Sequence, residues 1–331
     1  MRTIIIKGLM LILLASTCKN NTTDNSEAQK ATAEHTVTTT ENAPPFFKLS
    51  LAQWSLHKAM ISGEMSPLDF AQKAKELGFE GIEYVSQLYR EELKKDPDPQ
   101  KAMKKLLETL KSKSEQHNIQ NLIIMVDGEG DLAVVDEKER NNAVENHKKW
   151  VDAAQFLGCH SIRVNLFGAN DPGQWKAAAT DGLSKLSDYA AGKNINVIVE
   201  NHGHLSSDAA LLVEVMKQVN KPNCGTLPDF GNFCLEREGG ARWGAKCIRE
   251  YPKYQGVKEM MPYAKAVSAK SYDFDAEGRE TTIDYKKMLE IIKASGYNGF
   301  IGVEYEGDRL SETEGIIATR DLLLSTAKEL K

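Results

Sequence analysis

Residues 197–202 read Val-Ile-Val-Glu-Asn-His, a short apolar run that ends in a carboxylate and continues into a polar loop. Two later runs, which end at Asp229 and Glu304, have the same form. A strand gives each side chain a fixed direction, and a side chain at the strand's end points out of the core. Glu200, Asp229 and Glu304 can therefore converge on one point. Because adjacent carboxylates repel one another, the pattern indicates a divalent metal ion bound through oxygen ligands.

From residue 47 onward, short β-rich runs alternate with segments whose apolar residues recur at helical spacing. The β-rich runs are 49–55, 81–85, 121–126, 161–166, 196–201, 225–229, 266–271 and 300–305. Their mean spacing of about 36 residues fits one strand and one helix per unit. The sequence therefore predicts an α/β fold, a closed (β/α)8 TIM barrel. A doubly wound open sheet is the alternative, although no glycine-rich nucleotide loop follows the first run.

The N-terminus has the composition of an export signal. Arg2 and Lys7 supply a basic start, an apolar stretch follows, and the residues before Cys18 resemble a bacterial lipoprotein cleavage box. We expect a signal peptide of the lipoprotein type over residues 1–18 and a lipid on Cys18 as the membrane contact. The protein would then face the periplasm or the cell surface. Simple secretion is the alternative.

Residues 19–45 are rich in Thr, Asn, Glu, Ala and Ser and show no apolar pattern. Such a segment buries too little apolar surface to fold, so we expect a flexible tether. Residues 46–331 remain for the barrel, and no later run is long and apolar enough to predict a transmembrane span.

The charge of the chain bears on its partners. The 331 residues carry a formal net charge of −5, and loss of Arg2 and Lys7 with the signal leaves 40 basic against 47 acidic residues. No basic cluster with interleaved aromatic residues is present, which argues against a nucleic-acid partner. A small molecule is the expected ligand.

Four cysteines follow Cys18, and their spacing matches no zinc motif. They are Cys159, Cys224, Cys234 and Cys247. We expect isolated thiols, with a bridge between Cys224 and Cys234 as the alternative.

In a barrel, functional side chains lie at the C-terminal ends of the strands, where inward and outward positions alternate. Besides the three acids, this rule selects Gln53, Ser55, Glu83, Arg163, Asn165, His202, Ser268, Lys270 and Glu306, and Trp54 is added as a ring that could stack on a sugar. Trp54, Glu83, Arg163, Asn165 and His202 are the substrate-binding candidates. The alternatives are core packing for Trp54, a structural salt bridge for Glu83 and a pair with Glu200 for Arg163. We expect Glu306 and Asp308 in a solvated loop and residues 237–243 in a lid.

The chain resembles the xylose isomerase-like barrel family of sugar isomerases and epimerases over roughly residues 46–325. Leu-Ser-Leu-Ala-Gln-Trp-Ser at 49–55, Leu-Gly-Phe-Glu-Gly-Ile-Glu at 77–83, and the acids on the fifth, sixth and eighth strands carry the resemblance. It implies a site of Glu, Asp, His and Glu around Mn, Mg, Co or Zn. Glu200, Asp229 and Glu304 stand at the matching ligand positions.

The seventh strand departs from the family pattern. Ser268 stands where the family usually has His, while Lys270 matches the Lys that follows it. His202 is two residues past Glu200, and we expect it to supply the missing nitrogen as the fourth metal ligand. The alternative is a metal held weakly or lost, with Lys270 as a fixed cation beside the acids.

The resemblance implies proton transfer on a carbon next to a carbonyl, through an enediolate that a metal ion stabilises. Glu200 and Glu304 are the expected pair of proton-transfer groups, with Lys270 as a further catalytic residue. Epimerisation, aldose–ketose isomerisation and elimination share this intermediate. We therefore expect a metal-dependent isomerase or epimerase acting on a non-phosphorylated or 3-keto sugar. The alternatives are a 3-keto-glycoside lyase or hydratase and a non-catalytic sugar-binding lipoprotein.

Overall fold

The computed structural model describes residues 44–330, and all structural statements below concern that range. The expected signal peptide, the lipid on Cys18 and nearly all of the expected tether lie outside it. Among the helices of this range, none combines the length and the apolar character that crossing a membrane requires.

Ten strands are present within the described residues. In chain order they are β1 (Lys48–Ala52), β2 (Gly81–Val85), β3 (Gln120–Val126), β4 (Ser161–Val164), β5 (Asn196–Glu200), β6 (Cys224–Leu227), β7 (Cys234–Arg237), β8 (Cys247–Glu250), β9 (Val267–Ser271) and β10 (Phe300–Tyr305). Strands β7 and β8 form a separate antiparallel hairpin. The other eight form one parallel sheet in the order β6-β5-β4-β3-β2-β1-β10-β9.

The two ends of this sheet meet between β6 and β9. Parallel bridges join Thr226 to Ala264 and Asp229 to Ser268. The Ser268 N–H donates to the Pro228 carbonyl at 2.9 Å, and the Ser268 carbonyl accepts from the Phe230 N–H at 3.1 Å. The sheet therefore closes, and the predicted (β/α)8 TIM barrel is confirmed. Closure also sets Asp229 directly beside Ser268.

Helices surround the sheet. They are α1 (His57–Ser62), α2 (Phe70–Glu76), α3 (Arg90–Leu93), α4 (Pro99–Gln116), α5 (Glu137–Leu157), α6 (Pro172–Ala191), α7 (Ala209–Val219), α8 (Lys253–Met260), α9 (Tyr285–Ala294) and α10 (Glu312–Glu329). Five of them begin after an aspartate whose carboxylate accepts a backbone N–H of the first turn: Asp98, Asp136, Asp171, Asp208 and Asp284. Ser311 and Glu314 form a capping box on α10. These caps stabilise the starts of the helices.

Alternation along the strands separates two apolar layers. Ile124 and Val199 pack outward against the helices, whereas Ile123, Met125 and Ile198 belong to a smaller cluster inside the barrel. The side chains of Arg163, Glu200 and Lys270 point into the barrel. Arg163 lies opposite the inward-facing Met125 and Ile198 on the neighbouring strands, and Lys270 lies opposite Glu304. Strand parity therefore turns these charged side chains into the barrel.

The expectation of isolated thiols is confirmed for Cys159 and Cys224 and is wrong for Cys234 and Cys247, and the alternative bridge between Cys224 and Cys234 is wrong as well. Cys234 at the start of β7 and Cys247 at the start of β8 form a disulfide, with their Cα atoms 5.8 Å apart. Cys159 and Cys224 are buried free thiols. Cys224 begins β6, whereas Cys234 lies beyond its C-terminal end, so the two residues lie toward opposite ends of the barrel and cannot pair.

Candidate active site

Three buried carboxylates converge at the C-terminal end of the barrel. Glu200 ends β5, Asp229 follows β6 by two residues, and Glu304 lies on β10. One carboxylate oxygen from each lies within 4.8 Å of the others. The structure thus brings together the three acids that the sequence analysis singled out.

The Asp229 side chain is held by the loop that follows it. Its Oδ1 accepts the backbone N–H groups of Gly231 and Asn232, each at 2.8 Å. The Asn201 side chain accepts from the Asp229 N–H at 2.7 Å and donates to the Asp229 carbonyl at 3.0 Å. A Cβ at Gly231 would lie 2.7 Å from the Tyr272 hydroxyl, so this close turn requires glycine. Asp229 is therefore rigidly positioned.

Arg163 is a buried cation beside the acids. Its Nε lies 2.9 Å from Glu200 Oε2, and its Nη1 donates to Asp127 Oδ1 at 3.0 Å. The Nε–H is not directed at Glu200, so neither that nitrogen nor Glu200 Oε2 has a hydrogen-bond partner among the described residues. Burial opposes the charge on Arg163, but the carboxylates of Asp127 and Glu200 outweigh it and raise the pKa. Glu200 Oε2 is thus a buried acceptor still open to a ligand.

Lys270 is the second buried cation, with 1% of its side chain exposed. Its Nζ lies 3.0 Å from Glu304 Oε1 and donates to Glu306 Oε1 at 2.9 Å. Burial alone would lower the pKa of Lys270, but Glu304, Glu306 and the neighbouring acids hold the pKa well above its usual value. Lys270 is therefore a protonated ammonium. Glu306 lies in the loop after β10, as expected, but it is half-buried against Lys270, with 29% of its side chain exposed.

Ser268 occupies the space between two of the acids. Its hydroxyl donates to Asp229 Oδ2 at 2.6 Å and lies 3.2 Å from Glu304 Oε2. His202 is not part of this cluster. Strand β5 ends at Glu200, and Gly203 has a φ of 94°, so strand alternation does not continue to His202. The fourth position at the acids is thus taken by a hydroxyl.

His202 ends a hydrogen-bonded chain that starts at Asp127. Asn165 Nδ2 donates to Asp127 Oδ1 at 2.6 Å, which leaves Asn165 Oδ1 as the acceptor 2.6 Å from His202 Nδ1. Nδ1 must therefore carry the proton, and Nε2 is left as an acceptor. Burial, reinforced by Arg163, lowers the pKa of His202 to about 4. The imidazole is thus neutral with a fixed tautomer.

The charges around the acids suit a divalent cation. Asp127, Glu200, Asp229, Glu304 and Glu306 oppose only Arg163 and Lys270, which leaves a formal net charge of −3. Burial, together with the neighbouring acids, raises the pKa of Asp229 to about 8. Lys270 offsets only part of this rise. Burial also raises the pKa of Glu304. The converging oxygens and the unpartnered Glu200 Oε2 therefore fit a metal ion.

A cavity of about 630 Å³ opens above the cluster. Trp54, Arg163, Asn165, His202 and Glu304 line it, so it contains most of the predicted substrate-binding candidates. The Trp54 ring stacks on His57, with centroids 4.3 Å apart, and it is partly buried, since it packs against the inner core cluster while it lines the cavity.

Glu83 does not line the cavity and lies deeper in the barrel. Its Oε1 accepts from the Ser50 hydroxyl at 2.6 Å, while its Oε2 is buried without a hydrogen-bond partner among the described residues. Burial raises the pKa of Glu83 to about 8. A Cβ at Gly302 would lie 2.4 Å from Glu83 Oε1, so the Glu83 carboxyl group fills the space that a side chain at position 302 would need. This position sets Glu83 back from the cavity, and within residues 44–330 the salt bridge considered as its alternative role is absent.

A sequence model described as "Xylose isomerase-like TIM barrel" matches residues 71–326. The chain belongs to this family. A curated relative, inosose dehydratase of Geobacillus thermodenitrificans, is 27% identical over 142 residues, which cover 39% of this chain and 46% of that protein. The chain therefore matches about half the length of that relative.

Solved structures share the fold of this family member at low sequence identity. The IOLI protein with a bound zinc atom is 17% identical, with a TM-score of 0.63 over 86% of this chain and 99% of that one. The 3-keto-D-glucoside 4-epimerase of E. coli is 14% identical, with a TM-score of 0.62 over 84% and 99%. D-psicose 3-epimerase of Clostridium cellulolyticum, crystallised with D-tagatose, is 15% identical, with a TM-score of 0.63 over 85% and 99%.

Sequence reasoning missed Asp127 and Asn232. Asp127 directly follows β3 in the run Ile-Met-Val-Asp, the same pattern that marked the three acids, so the signal was present. Asn232 Nδ2 donates to Glu200 Oε1 at 3.0 Å. Asn232 lies in a loop, where no strand periodicity marks a side chain as inward, and only the folded chain reveals this contact.

Proposed function

We propose that this protein is a metal-dependent sugar isomerase or epimerase that moves a proton on a carbon next to a carbonyl. The buried carboxylate cluster beneath an open cavity is the observation that carries the proposal. Two acids from different strands, Glu200 and Glu304, stand beside a set of oxygens suited to a cation. Such a site can both bind a polarised carbonyl and exchange a proton with the carbon beside it.

Glu200, Asp229 and Glu304 would hold the metal ion, with the Ser268 hydroxyl beside them. When bound, a divalent ion supplies Lewis acidity toward the carbonyl and hydroxyl oxygens of a sugar. The potential donors of this cluster are all oxygens. Hard oxygen donors favour Mg²⁺ or Mn²⁺, whereas imidazole suits Zn²⁺ and related ions. We therefore favour Mg²⁺ or Mn²⁺ among the four metals that the family resemblance implies.

The protein's own groups divide the remaining work. Glu304 and Glu200 remove and return the proton, and Lys270 holds Glu304 Oε1 at 3.0 Å, which orients that carboxylate. Since Lys270 is protonated, it does not act as a base. Its charge stabilises the negative oxygen that develops when the proton leaves, as a fixed cation in a water-poor site does. His202 Nε2 accepts a hydrogen bond from a sugar hydroxyl.

The cavity favours an uncharged sugar. Of the four arginines that line it, Arg163 is already paired with Asp127 and Glu200, and Arg242 with Asp131, while Arg90 and Arg237 form no salt bridge within residues 44–330. Acidic side chains, including Glu304 and Glu306, also face the cavity. A phosphorylated sugar would meet these charges, whereas a free or glycosylated keto-sugar offers hydroxyl groups to them.

We also propose that the protein is an exported lipoprotein anchored through Cys18. The basic and apolar N-terminus supports export. The Cys234–Cys247 disulfide adds support, because structural disulfides persist mainly in oxidising compartments.

A lyase or hydratase acting on a 3-keto-glycoside is the second candidate. The relative named inosose dehydratase favours it, since a dehydratase eliminates a group next to a carbonyl. In this chain the Lys270 ammonium, close to Glu304, could protonate a departing oxygen. Both candidates begin with the same proton removal.

Metal content and proton exchange test the proposal together. We expect about one Mg²⁺ or Mn²⁺ per chain by elemental analysis, and incorporation of solvent deuterium into a keto-hexose by NMR. An Asp229→Asn variant should lose the metal, while an Asp308→Asn variant, altered at an exposed acid paired with Lys58, should keep it. If the protein contains no metal and exchanges no deuterium into any of a panel of keto-sugars, the proposed enzymatic function is wrong, and a sugar-binding protein becomes the better interpretation.

A further inference from the structure

The β7–β8 hairpin is an addition to the barrel that covers its active face. It stands between β6 and α8 and includes the nine residues 238–246 between its strands. Arg237, Arg242 and Trp243 from this segment line the cavity above the carboxylates. The hairpin, defined as residues 234–250, therefore forms one wall of the site that the chemistry uses.

The base of the hairpin is fixed, whereas its tip is loosely packed. At the base, the Tyr251 N–H donates to the Phe233 carbonyl at 2.9 Å, and the Cys234–Cys247 disulfide joins the start of β7 to the start of β8. At the tip, Gly239 and Gly240 have positive φ values, and a Cβ added to either would meet no other atom within 4 Å. Because an isolated two-stranded hairpin is marginally stable in water, we expect the disulfide to help hold this short one in place.

Two contacts of Arg242 fasten the hairpin across the cavity mouth. One guanidinium nitrogen, Nη2, lies 2.9 Å from Asp131 Oδ2 in the loop after β3. The guanidinium carbon also lies 4.3 Å from the ring centroid of Phe167 in the loop after β4. Exposed ion pairs are weak, so this fastening can open to admit a ligand.

Trp243 presents a flat apolar surface next to the carboxylates. Its ring packs perpendicular to Phe167 at 5.5 Å and lies 4.7 Å from the ring of His202, two residues past Glu200. Even so, 47% of Trp243 remains exposed. A large ring fixed by neighbours yet open to a polar cavity can stack on a ring of the ligand.

The cavity has the size of an ordinary small-molecule site. Its volume of about 630 Å³ lies in the middle of the range of about 300–1,000 Å³ that sites for drug-sized ligands occupy. It therefore has room for a glycoside. Trp54 follows β1 and Trp243 packs over the loops after β4 and β5, so the two indoles line different sides of the cavity.

We propose that Trp243 is a specificity-determining residue that stacks on the aglycone of a glycoside, while the sugar ring lies at the carboxylates. This inference rests on the proposed function, and it narrows the substrate class to sugars that carry an aromatic or second cyclic group. The disulfide acts as a positioning element, because it holds the hairpin that presents Trp243.

Calorimetry with two unreactive probes, phenyl β-D-glucopyranoside and D-glucose, tests the proposal. We expect the wild-type protein to bind the phenyl glucoside about tenfold tighter than glucose, as one added aromatic stack would give. Trp243→Ala should bring that ratio close to one, and Trp243→Phe should retain most of it. Phe156→Ala, which removes an exposed ring in α5 outside the cavity, should keep the wild-type ratio.

A wild-type ratio near one, or an unchanged ratio in Trp243→Ala, would overturn the assignment of Trp243. The outcome is separable from the proposed function, because deuterium exchange on keto-sugars is measured independently. A protein that exchanges deuterium but shows no preference refutes only this inference. A protein that prefers the phenyl glucoside through Trp243 but never exchanges deuterium refutes only the enzymatic function.

The positioning role of the disulfide has its own readout. In a Cys234→Ser/Cys247→Ser variant we expect the preference for the phenyl glucoside to fall about threefold, together with faster tryptic cleavage after Arg242. Saturating phenyl glucoside should slow that cleavage in both proteins. A variant with the wild-type ratio and the wild-type cleavage rate would contradict the role of the disulfide.

Discussion

The carboxylate cluster and the β7–β8 hairpin face the same cavity but are held in place by different means. Glu200 and Glu304 lie on parallel strands with at most 5% of each side chain exposed, and two buried cations accompany them. The hairpin lies outside the barrel sheet, and one disulfide and an exposed ion pair secure it. The groups proposed to perform the chemistry thus lie on the parallel sheet, while the residue proposed to select the ligand lies on a hairpin outside it.

The largest effect should come from the cluster itself. Glu304→Gln keeps the shape of the side chain but removes the carboxylate that exchanges a proton, so we expect kcat to fall about 10²–10⁴-fold. The circular dichroism spectrum should not change, because Lys270 keeps its pair with Glu306. Turnover close to that of the wild type would show that Glu304 is not required for catalysis. The cluster would then be no more important for activity than the hairpin.

Lys270→Met tests how much the cluster depends on its buried cation. Loss of the ammonium leaves Glu304 and Glu306 buried without their partner, so we expect the free energy of unfolding to fall by about 3–5 kcal/mol. Added Mg²⁺ should restore part of this loss, since a divalent ion also neutralises the acids. Urea denaturation with and without Mg²⁺ measures both effects. Unchanged stability would show that Lys270 is not needed to balance the acids.

Removal of the disulfide should affect the hairpin more than the barrel. The bridge joins residues 13 apart in sequence, and closing a loop of that length stabilises a protein by about 3 kcal/mol at most. We expect Cys234→Ser/Cys247→Ser to lose up to that amount in urea denaturation, with hydrogen exchange accelerated only in residues 234–250. Dithiothreitol should reproduce the loss in the wild type and leave the variant unaffected. Faster exchange throughout the barrel would contradict the separation of the two regions.

Glu83→Gln tests the protonation state of the carboxyl group buried beneath the cluster. Burial raises the pKa of Glu83 in the folded protein to about 8, above its unfolded value. Its contribution to stability is therefore complete at low pH, declines once the unfolded state ionises above about pH 4.5, and is lost as the pH rises through about 8. We expect Glu83→Gln to be more stable than wild type by about 2 kcal/mol at pH 7. Urea denaturation between pH 5 and 8 should give a flatter profile for the variant, and parallel profiles would show that Glu83 is ionised when folded.

Strand positions were predicted well where apolar runs are bounded by turns. The predicted runs 81–85 and 300–305 coincide with β2 and β10. The first run overshoots, because β1 ends at Ala52 and the Gln53 side chain accepts from the Val85 N–H at 2.9 Å. Polar contacts of this kind end a strand without any signal in the hydrophobic pattern.

Site residues were predictable only where strand geometry applies. Glu200 and Glu304 lie on strands, and Lys270 shares their inward parity, so their convergence follows from period-two alternation. His202 failed as a ligand of the cluster because β5 ends at Glu200 and the following loop turns away. The hairpin and its disulfide could not be predicted, since four cysteines in a long chain do not specify a pairing.

The sequence by itself determined the barrel, the approximate positions of its strands and the three acids at or just beyond their ends, because alternation and turn residues act over a few neighbouring positions. Only the tertiary structure decided what surrounds those acids. Barrel closure set Ser268 between Asp229 and Glu304, and parallel pairing of β9 with β10 set Lys270 against Glu304. These contacts join residues more than 30 positions apart, and the burial that shifts their pKa values exists only once the sheet has closed.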